Sequence, residues 1–314
     1  MEYVILIVTL VGIVFGADLL VAGAVSVARR YKVSDFVIGA AIVGIGTSMP
    51  ELVVSFFGAL KGNADVAIGN VVGSNIFNVL AILGMTAICY PIAIDKKNMT
   101  LEIPFCIGVS VLVTLLALNF FNGTPATISR VDGLILILLF LGYMYYSFVR
   151  DKKNALQAPV EANEPILSLW KSILKVVGGL ALLIVSCDFF VDSAVSIAKS
   201  WGVSDAIISL TLIACGTSLP ELAASVVAAF KKNTQLALGN IVGSNIFNIL
   251  LILGVSSQVM PLTSAGITLV DYGVMIGAAI VPLLFGFNKK IGRVGGALMV
   301  IAFAVYTWYL IAGV

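Results

Sequence analysis

Apolar residues fall along the chain in long blocks, separated by short breaks that carry charge, Gly, Asn or Pro. Such blocks match the hydrocarbon core of a bilayer, about 30 Å thick, which a helix crosses in about 20 residues. Reading blocks against breaks predicts ten membrane-spanning helices over residues 3–24, 36–60, 66–90, 100–121, 129–149, 169–194, 206–230, 235–260, 266–287 and 292–313. The longest break, 151–168, holds Asp151, Lys152, Lys153, Glu161, Glu164 and two prolines, and reads as a solvated linker too short for a folded domain. It divides the chain into two five-helix units, 1–150 and 169–314.

The placement of basic residues tests that count. With the breaks numbered in order, the odd ones hold Arg29, Arg30, Lys32, Lys96, Lys97, Arg150, Lys152, Lys153, Lys171, Lys175, Lys231, Lys232, Lys289, Lys290 and Arg293. The even ones hold Lys61, Arg130 and Lys199, which completes the 18 basic residues. Cytoplasmic loops carry the excess of Lys and Arg, so both termini are expected on the extracytoplasmic side of a cell membrane. A miscounted helix would scramble the alternation beyond the error. The apolar run from Val4 has only Glu2 before it and no basic region, so it reads as the first span and not as a cleaved signal.

Composition narrows the function classes. Hydrophobic residues make up 60% and charged residues 11%, against about 25% charged in a soluble domain. Mean hydropathy is +1.12. The expected partner is the lipid bilayer; a net charge of +2 gives no reason for nucleic acid, and no obligate protein partner is evident. Cys89, Cys106, Cys187 and Cys215 lack metal-ligand spacing and read as small buried residues. There is no His, which removes the commonest proton relay and the commonest zinc ligand. No nucleophile–base pair, phosphate loop or cofactor motif is present, so neither an enzyme nor a bound cofactor is expected.

A shift of 170 residues lays Gly16–Met85 over Ser186–Val255 without a gap, with 34 identities in 70 positions. Gly46-Thr-Ser-Met-Pro-Glu51 matches Gly216-Thr-Ser-Leu-Pro-Glu221, and Gly69-Asn-Val-Val-Gly-Ser-Asn-Ile-Phe-Asn78 matches Gly239-Asn-Ile-Val-Gly-Ser-Asn-Ile-Phe-Asn248. A shift of five spans, an odd number, places the second copy upside down in the membrane, as in secondary transporters that bind substrate near the midplane.

Glu51 and Glu221 lie mid-span with no Lys or Arg in the same helix interior. A carboxylate there costs several kcal/mol and either takes up a proton or is held ionised by a bound cation. Thr47 and Ser48 precede Glu51 by four and three residues and so share its helix face. Pro50 has no N–H and frees carbonyls near Gly46 and Thr47, which a membrane protein tolerates where they line a cavity or bind an ion. Thr217, Ser218, Pro220 and Glu221 repeat the arrangement. Ser74/Asn78 and Ser244/Asn248, each four apart, add neutral oxygens, and Gly69/Gly73 and Gly239/Gly243 allow close helix approach. An all-oxygen set suits hard cations such as Ca²⁺ or Na⁺.

These doubled motifs resemble the α-repeats of the cation/calcium exchanger superfamily, with the prokaryotic sodium/calcium exchangers as the nearest branch, and the resemblance covers nearly the whole chain. It implies that the second, third, seventh and eighth helices surround the ions. It further implies that Glu51 and Glu221 bind Ca²⁺ with the carbonyls of Thr47 and Thr217. Thr47, Ser48, Ser74, Thr217, Ser218 and Ser244 then complete the Na⁺ sites, Asn78 and Asn248 line the centre, and the carbonyls of Gly44 and Ala214 serve outer Na⁺ sites. Position 248 is Asn where potassium-dependent exchangers carry Asp, which argues against potassium co-transport. The middle connection lacks room for the calcium-sensing domains of the animal exchangers. The expected activity is antiport of Ca²⁺ against Na⁺, three Na⁺ per Ca²⁺ and electrogenic by the resemblance, with the first and sixth helices (Asp18, Asp188) as the gating pair. A proton/calcium exchanger using the same glutamates is the alternative, although that branch usually carries Glu within the Gly-Asn-type motif. A passive cation channel is the remote one.

Overall fold

The structure is a computed structural model and describes residues 2–118, 127–155, 167–201, 214–263 and 266–312. It is a helical bundle. The helices are α1 (Glu2–Tyr31), α2 (Asp35–Thr47), α3 (Met49–Leu60), α4 (Ala64–Cys89), α5 (Asn98–Ala117), α6 (Arg130–Ala155), α7 (Leu169–Ser200), α8 (Leu219–Phe230), α9 (Thr234–Val259), α10 (Leu269–Gly286) and α11 (Arg293–Ala312). Among the described residues eight helices are long and apolar enough to cross a membrane, and nine if α2 and α3, bent by 48° at Ser48, count as one span. The first part of the span expected over 206–230, and residues 156–166 of the linker, lie outside the described residues.

Three details differ from expectation. α1 and α7 run past the apolar blocks 3–24 and 169–194, because their polar last turns still extend the helix and basic residues there complement its dipole (Arg29 and Arg30 in α1, Lys199 in α7). The first residues of the expected linker belong to α6, and Asp151 is buried there, paired with Lys97 (2.5 Å) and accepting the N–H of Ser34 at the start of α2. The fold is also not wholly helical, since four two-residue strands pair as β1·β4 (Ile92–Ala93 with Lys290–Ile291) and β2·β3 (Thr127–Ile128 with Leu262–Thr263).

The ribbons mark the two ends of the bundle, because α5, 20 residues and about 30 Å long, separates β1 from β2. The N-termini of α2 and α9 lie at the β1·β4 end, where Asn233 donates to Asp35 (2.8 Å) and Gln235 to the Ala93 carbonyl (3.1 Å). The start of α4 lies at the β2·β3 end, where the Gly266 N–H donates to Asp65 (2.9 Å).

α4 and α9 form the buried centre, with most of their residues screened from the surface, whereas α1, α7 and α11 present many exposed apolar side chains. A helix that is apolar all round faces lipid or a core, and this ordering places the most polar motifs innermost. α9 approaches α2 backbone to backbone: a Cβ at Gly239 would fall on the Phe36 carbonyl and one at Gly243 on Ala40. Gly16 and Gly179 bring α1 and α7 together in the same manner. Outside the repeat motifs, Tyr143 donates to Glu102 and Tyr306 to Asp271, each at 2.7 Å, tying α6 to α5 and α11 to α10.

Gly239→Val should therefore destabilise the protein by about 1–3 kcal/mol or more, because no flexible side chain can yield. Gly108→Ala, with open space around it, should be nearly neutral. Thermal unfolding in detergent, comparing the two variants, checks this.

Candidate functional site

The 48° bend at Ser48 follows from local sequence. Pro50 cannot donate to the Gly46 carbonyl, and it sits in the first turn of α3, where its missing N–H costs nothing. The chain therefore stops one helix at Thr47 and starts another at Met49. Ser218, with nearly the same backbone angles as Ser48, does likewise before Pro220 and α8. Each break leaves Thr, Ser and Glu at a helix junction in the middle of the bundle.

The two junctions face each other. Ser48 Oγ donates to Glu221 Oε1 at 2.7 Å, and Ser218 Oγ donates to Glu51 Oε1 at 2.8 Å, so each serine serves the other repeat's glutamate. Both glutamates are completely buried, and among the described residues neither has a basic partner. Their second oxygens, Glu51 Oε2 and Glu221 Oε2, are buried without a hydrogen-bond partner. The side-chain oxygens of Asn78 and Asn248 are in the same condition. Their amide nitrogens are turned the other way, Asn78 Nδ2 donating to Asn245 Oδ1 (3.0 Å) and Asn248 Nδ2 to Asn75 Oδ1 (3.1 Å). Two carboxylate and two amide oxygens thus remain as unused buried acceptors, a costly condition for any polar group. Each Asn sits in a π-helical stretch, Phe77–Leu83 or Asn248–Ile252, a local widening often found at functional positions.

The remaining residues singled out in the sequence gather around the same junctions. Thr47 Oγ1, with a single proton to donate, lies 2.9 Å from the Val43 carbonyl and 3.3 Å from Asn240 Oδ1, and Ser244 Oγ donates to the Gly44 carbonyl (3.2 Å). Ser218 Oγ also reaches Ser74 Oγ (3.4 Å), while the Thr217 hydroxyl is buried without a partner. Ala214 opens the turn Ala214–Gly216 that leads into Thr217. A cavity of about 610 Å³ between α3, α7 and α8 reaches this side of the site, lined by Pro50, Val53, Asp188, Asp192, Gly216 and Thr217.

Three further pairs take part that the sequence reading passed over. Asn70 Nδ2 donates to the Glu51 carbonyl (3.1 Å) and Ser55 Oγ (2.9 Å), and Asn240 Nδ2 to the Glu221 carbonyl (3.2 Å) and Ser225 Oγ (2.8 Å). Asn75 and Asn245 exchange bonds, each Nδ2 donating to the other's carbonyl at 3.3 Å. All six are identical at the 170-residue offset, and that identity at polar positions within apolar spans is the signal that marks them.

Among the described residues there is no group of three or more His, Cys, Asp or Glu side chains that could hold a metal. The centre offers two carboxylates, amide oxygens, hydroxyls and carbonyls, donors suited to hard cations.

Residues 1–149 and 171–312 match the protein-family profile described as Sodium/calcium exchanger protein. The chain is 40% identical over 311 residues to CaxA of Alkalimonas amylolytica, covering 96% of each chain. It is 31% identical over 346 residues to Sodium/calcium exchanger MaX1 of Methanosarcina acetivorans, covering 98% of this chain and 99% of that one. Its fold superposes on the solved structure of the sodium-calcium exchanger NCX_Mj soaked with zero Na⁺ and Ca²⁺, with a TM-score of 0.85, 31% identity and 98% of each chain covered.

Asn75→Ala and Asn245→Ala should each cost about 1–3 kcal/mol, because each removes one inter-helix bond and leaves the buried amide of Asn248 or Asn78 without its acceptor. The two variants remove different bonds, so the double variant should lose about the sum of the two single losses. A double-mutant cycle read by unfolding in detergent measures the coupling.

Proposed function

Since the chain belongs to the sodium/calcium exchanger protein family, matched over residues 1–149 and 171–312, we propose that it is an antiporter exchanging Ca²⁺ for Na⁺ by alternating access. The observation that carries this reading is the set of four buried acceptors without partners: Glu51 Oε2, Glu221 Oε2, Asn78 Oδ1 and Asn248 Oδ1. A hard cation satisfies all four at once, and Ca²⁺ takes 6–8 oxygens, so carbonyls and hydroxyls of the junctions complete its shell. In this reading Glu51 and Glu221 hold Ca²⁺ with the carbonyls of Thr47 and Thr217. Ser48, Ser74, Ser218, Ser244, Asn78, Asn248 and the carbonyls of Gly44 and Ala214 hold Na⁺ or line the centre.

Charge sets the exchange rule. One Ca²⁺ neutralises the two carboxylates. Three Na⁺ in its place leave one positive charge, which makes the cycle electrogenic. Both ions need the same glutamates and therefore compete, and an empty site with two uncompensated charges resists crossing.

The architecture we assign is ten spans in two inverted five-helix units, 1–150 and 169–314 around the connection 151–168, with α2 and α3 as one span and α8 ending another. β1 and β3 occupy matching repeat positions but lie at opposite ends of the bundle, which supports the inversion. Arg29, Lys96, Lys97, Lys231, Lys289 and Lys290 border the β1·β4 end, which we therefore assign to the cytoplasm of a cell membrane, with both termini outside.

The test is ⁴⁵Ca²⁺ uptake into Na⁺-loaded proteoliposomes, with ΔpH imposed and collapsed separately. Uptake should follow the outward Na⁺ gradient and ignore ΔpH, and Glu51→Gln and Glu221→Gln should each abolish it. Uptake driven by ΔpH alone would move the protein to proton coupling, and full activity in either glutamine variant would remove the site.

A further inference from the structure

Among the described residues the repeats share a sequence pattern but differ in the bonds of Thr47 and Thr217. At the half-site facing the β1·β4 end, Thr47 Oγ1 lies 3.3 Å from Asn240 Oδ1 and Ser244 donates to the Gly44 carbonyl (3.2 Å). On that side Asn233 also bonds Asp35 (2.8 Å) and Lys231 pairs with Asp18 (2.6 Å), and both Asn233 and Lys231 line, with Ala22, a cavity of about 540 Å³ whose lining does not include Thr47 or Ser48. In the related half-site the Thr217 hydroxyl is buried but unbonded, and Ser74 leans on Ser218 instead. Thr217 and Asp188, the repeat partners of Thr47 and Asp18, line the 610 Å³ cavity on the β2·β3 side. Asn240 is fully buried, whereas its partner Asn70 is half-buried.

Both asparagines nevertheless keep one common task. Through Nδ2 each holds the carbonyl of its own repeat's glutamate and the serine one turn later. What differs is the oxygen: Asn240 Oδ1 accepts the threonine of the other repeat, and Asn70 Oδ1 does not. We propose that Asn240 and Asn70 are positioning residues that exchange this bond during transport. In the state described, Thr47 is fastened on Asn240 and the β1·β4 side is shut. When the β2·β3 side shuts, Thr217 is fastened on Asn70 and Thr47 is released toward the opposite opening. The glutamate stays clamped by Nδ2 throughout, so the threonine beside it moves on and off while the carboxylate keeps its place. This rests on the alternating-access reading above, and on the repeats being able to trade conformations.

Two cysteine probes in otherwise unaltered protein read the equilibrium without net transport. Asp192→Cys reports on the β2·β3 face and Ala22→Cys, at the matching repeat position, on the other; the parent protein gives the background from native cysteines. With an impermeant maleimide applied to either face, no Ca²⁺, and Na⁺ and pH equal on the two sides so that the loaded protein can cross without net transport, the ratio of the two labelling rates reports which side is open. One neutral hydrogen bond is worth about 1 kcal/mol, or about fivefold in a population ratio. Asn240→Leu should lower the ratio of labelling at 192 to labelling at 22 about fivefold, and Asn70→Leu should raise it by a similar factor. Thr47→Val removes the same bond from its other end, so it should reproduce Asn240→Leu and add nothing in combination with it; it also carries the test if the asparagine variants fold poorly. A ratio that moves in the same direction in both asparagine variants, or in neither, overturns the proposal. A loss of packing alone has no reason to produce opposite signs. Because Na⁺ and H⁺ are equal on the two sides, this result is independent of which of them drives Ca²⁺ movement.

Discussion

Two carboxylates are held in the middle of a membrane-spanning bundle with no basic side chain paired to them among the described residues, and the surrounding architecture is organised around that electrostatic cost. Single hydroxyls, Ser48 and Ser218, satisfy one oxygen of each glutamate. The other oxygen of each is left bare. A soluble protein would settle such groups with Lys, Arg or water, since an unpaired buried charge is strongly destabilising. Here the neutral asparagines Asn78 and Asn248 contribute two more buried oxygens without partners. Such a deficit is met by protonation or by a cation; the exchange proposed above takes the second route, with a cation that enters and leaves finding the deficit intact each time.

The same constraint accounts for the two-fold construction. Neither repeat completes its half of the site alone: each serine reaches across to the other repeat's glutamate, and Asn75 and Asn245 hold α4 and α9 together by reciprocal bonds. In the inverted arrangement we propose, equivalent ends of the two motifs point toward opposite faces of the membrane, which would give one set of ligands two approaches. The described state uses one of them. The cavity of about 610 Å³ reaches Thr217, whereas the cavity of about 540 Å³ on the other side, lined by Ala22, Lys231 and Asn233, does not include Thr47 in its lining. Close glycine contacts between α1 and α7 and between α9 and α2 leave interfaces with few interlocking side chains, a geometry compatible with relative movement.

Much of this was legible in the sequence because the membrane simplifies the code. Span length and the 170-residue repeat depend on few physical choices, and the motif spacing singled out Ser48 and Glu51, which bond to Glu221 and Ser218 across the repeats. What escaped notice follows from three-dimensional pairing. Asn70, Asn75 and Ser55 sit inside the quoted motif or one turn from Glu51, but that they bond to carbonyls and not to an ion depends on helix rotation. Asp151 read as a solvated linker residue because its partners, Ser34 and Lys97, are more than 50 positions away. The Glu102–Tyr143 and Asp271–Tyr306 pairs fall outside the segment aligned at 170 residues. The short strands were missed because two paired residues leave no periodicity.

The most direct test of the central claim is to locate the ion by anomalous diffraction from crystals soaked in Ca²⁺ or Sr²⁺. The account predicts a single strong peak between the two junctions, 2.3–2.6 Å from Glu51 Oε2 and Glu221 Oε2 for Ca²⁺, which vanishes when Na⁺ is raised. A saturating soak that leaves this position empty, or places the ion away from both glutamates, would contradict it.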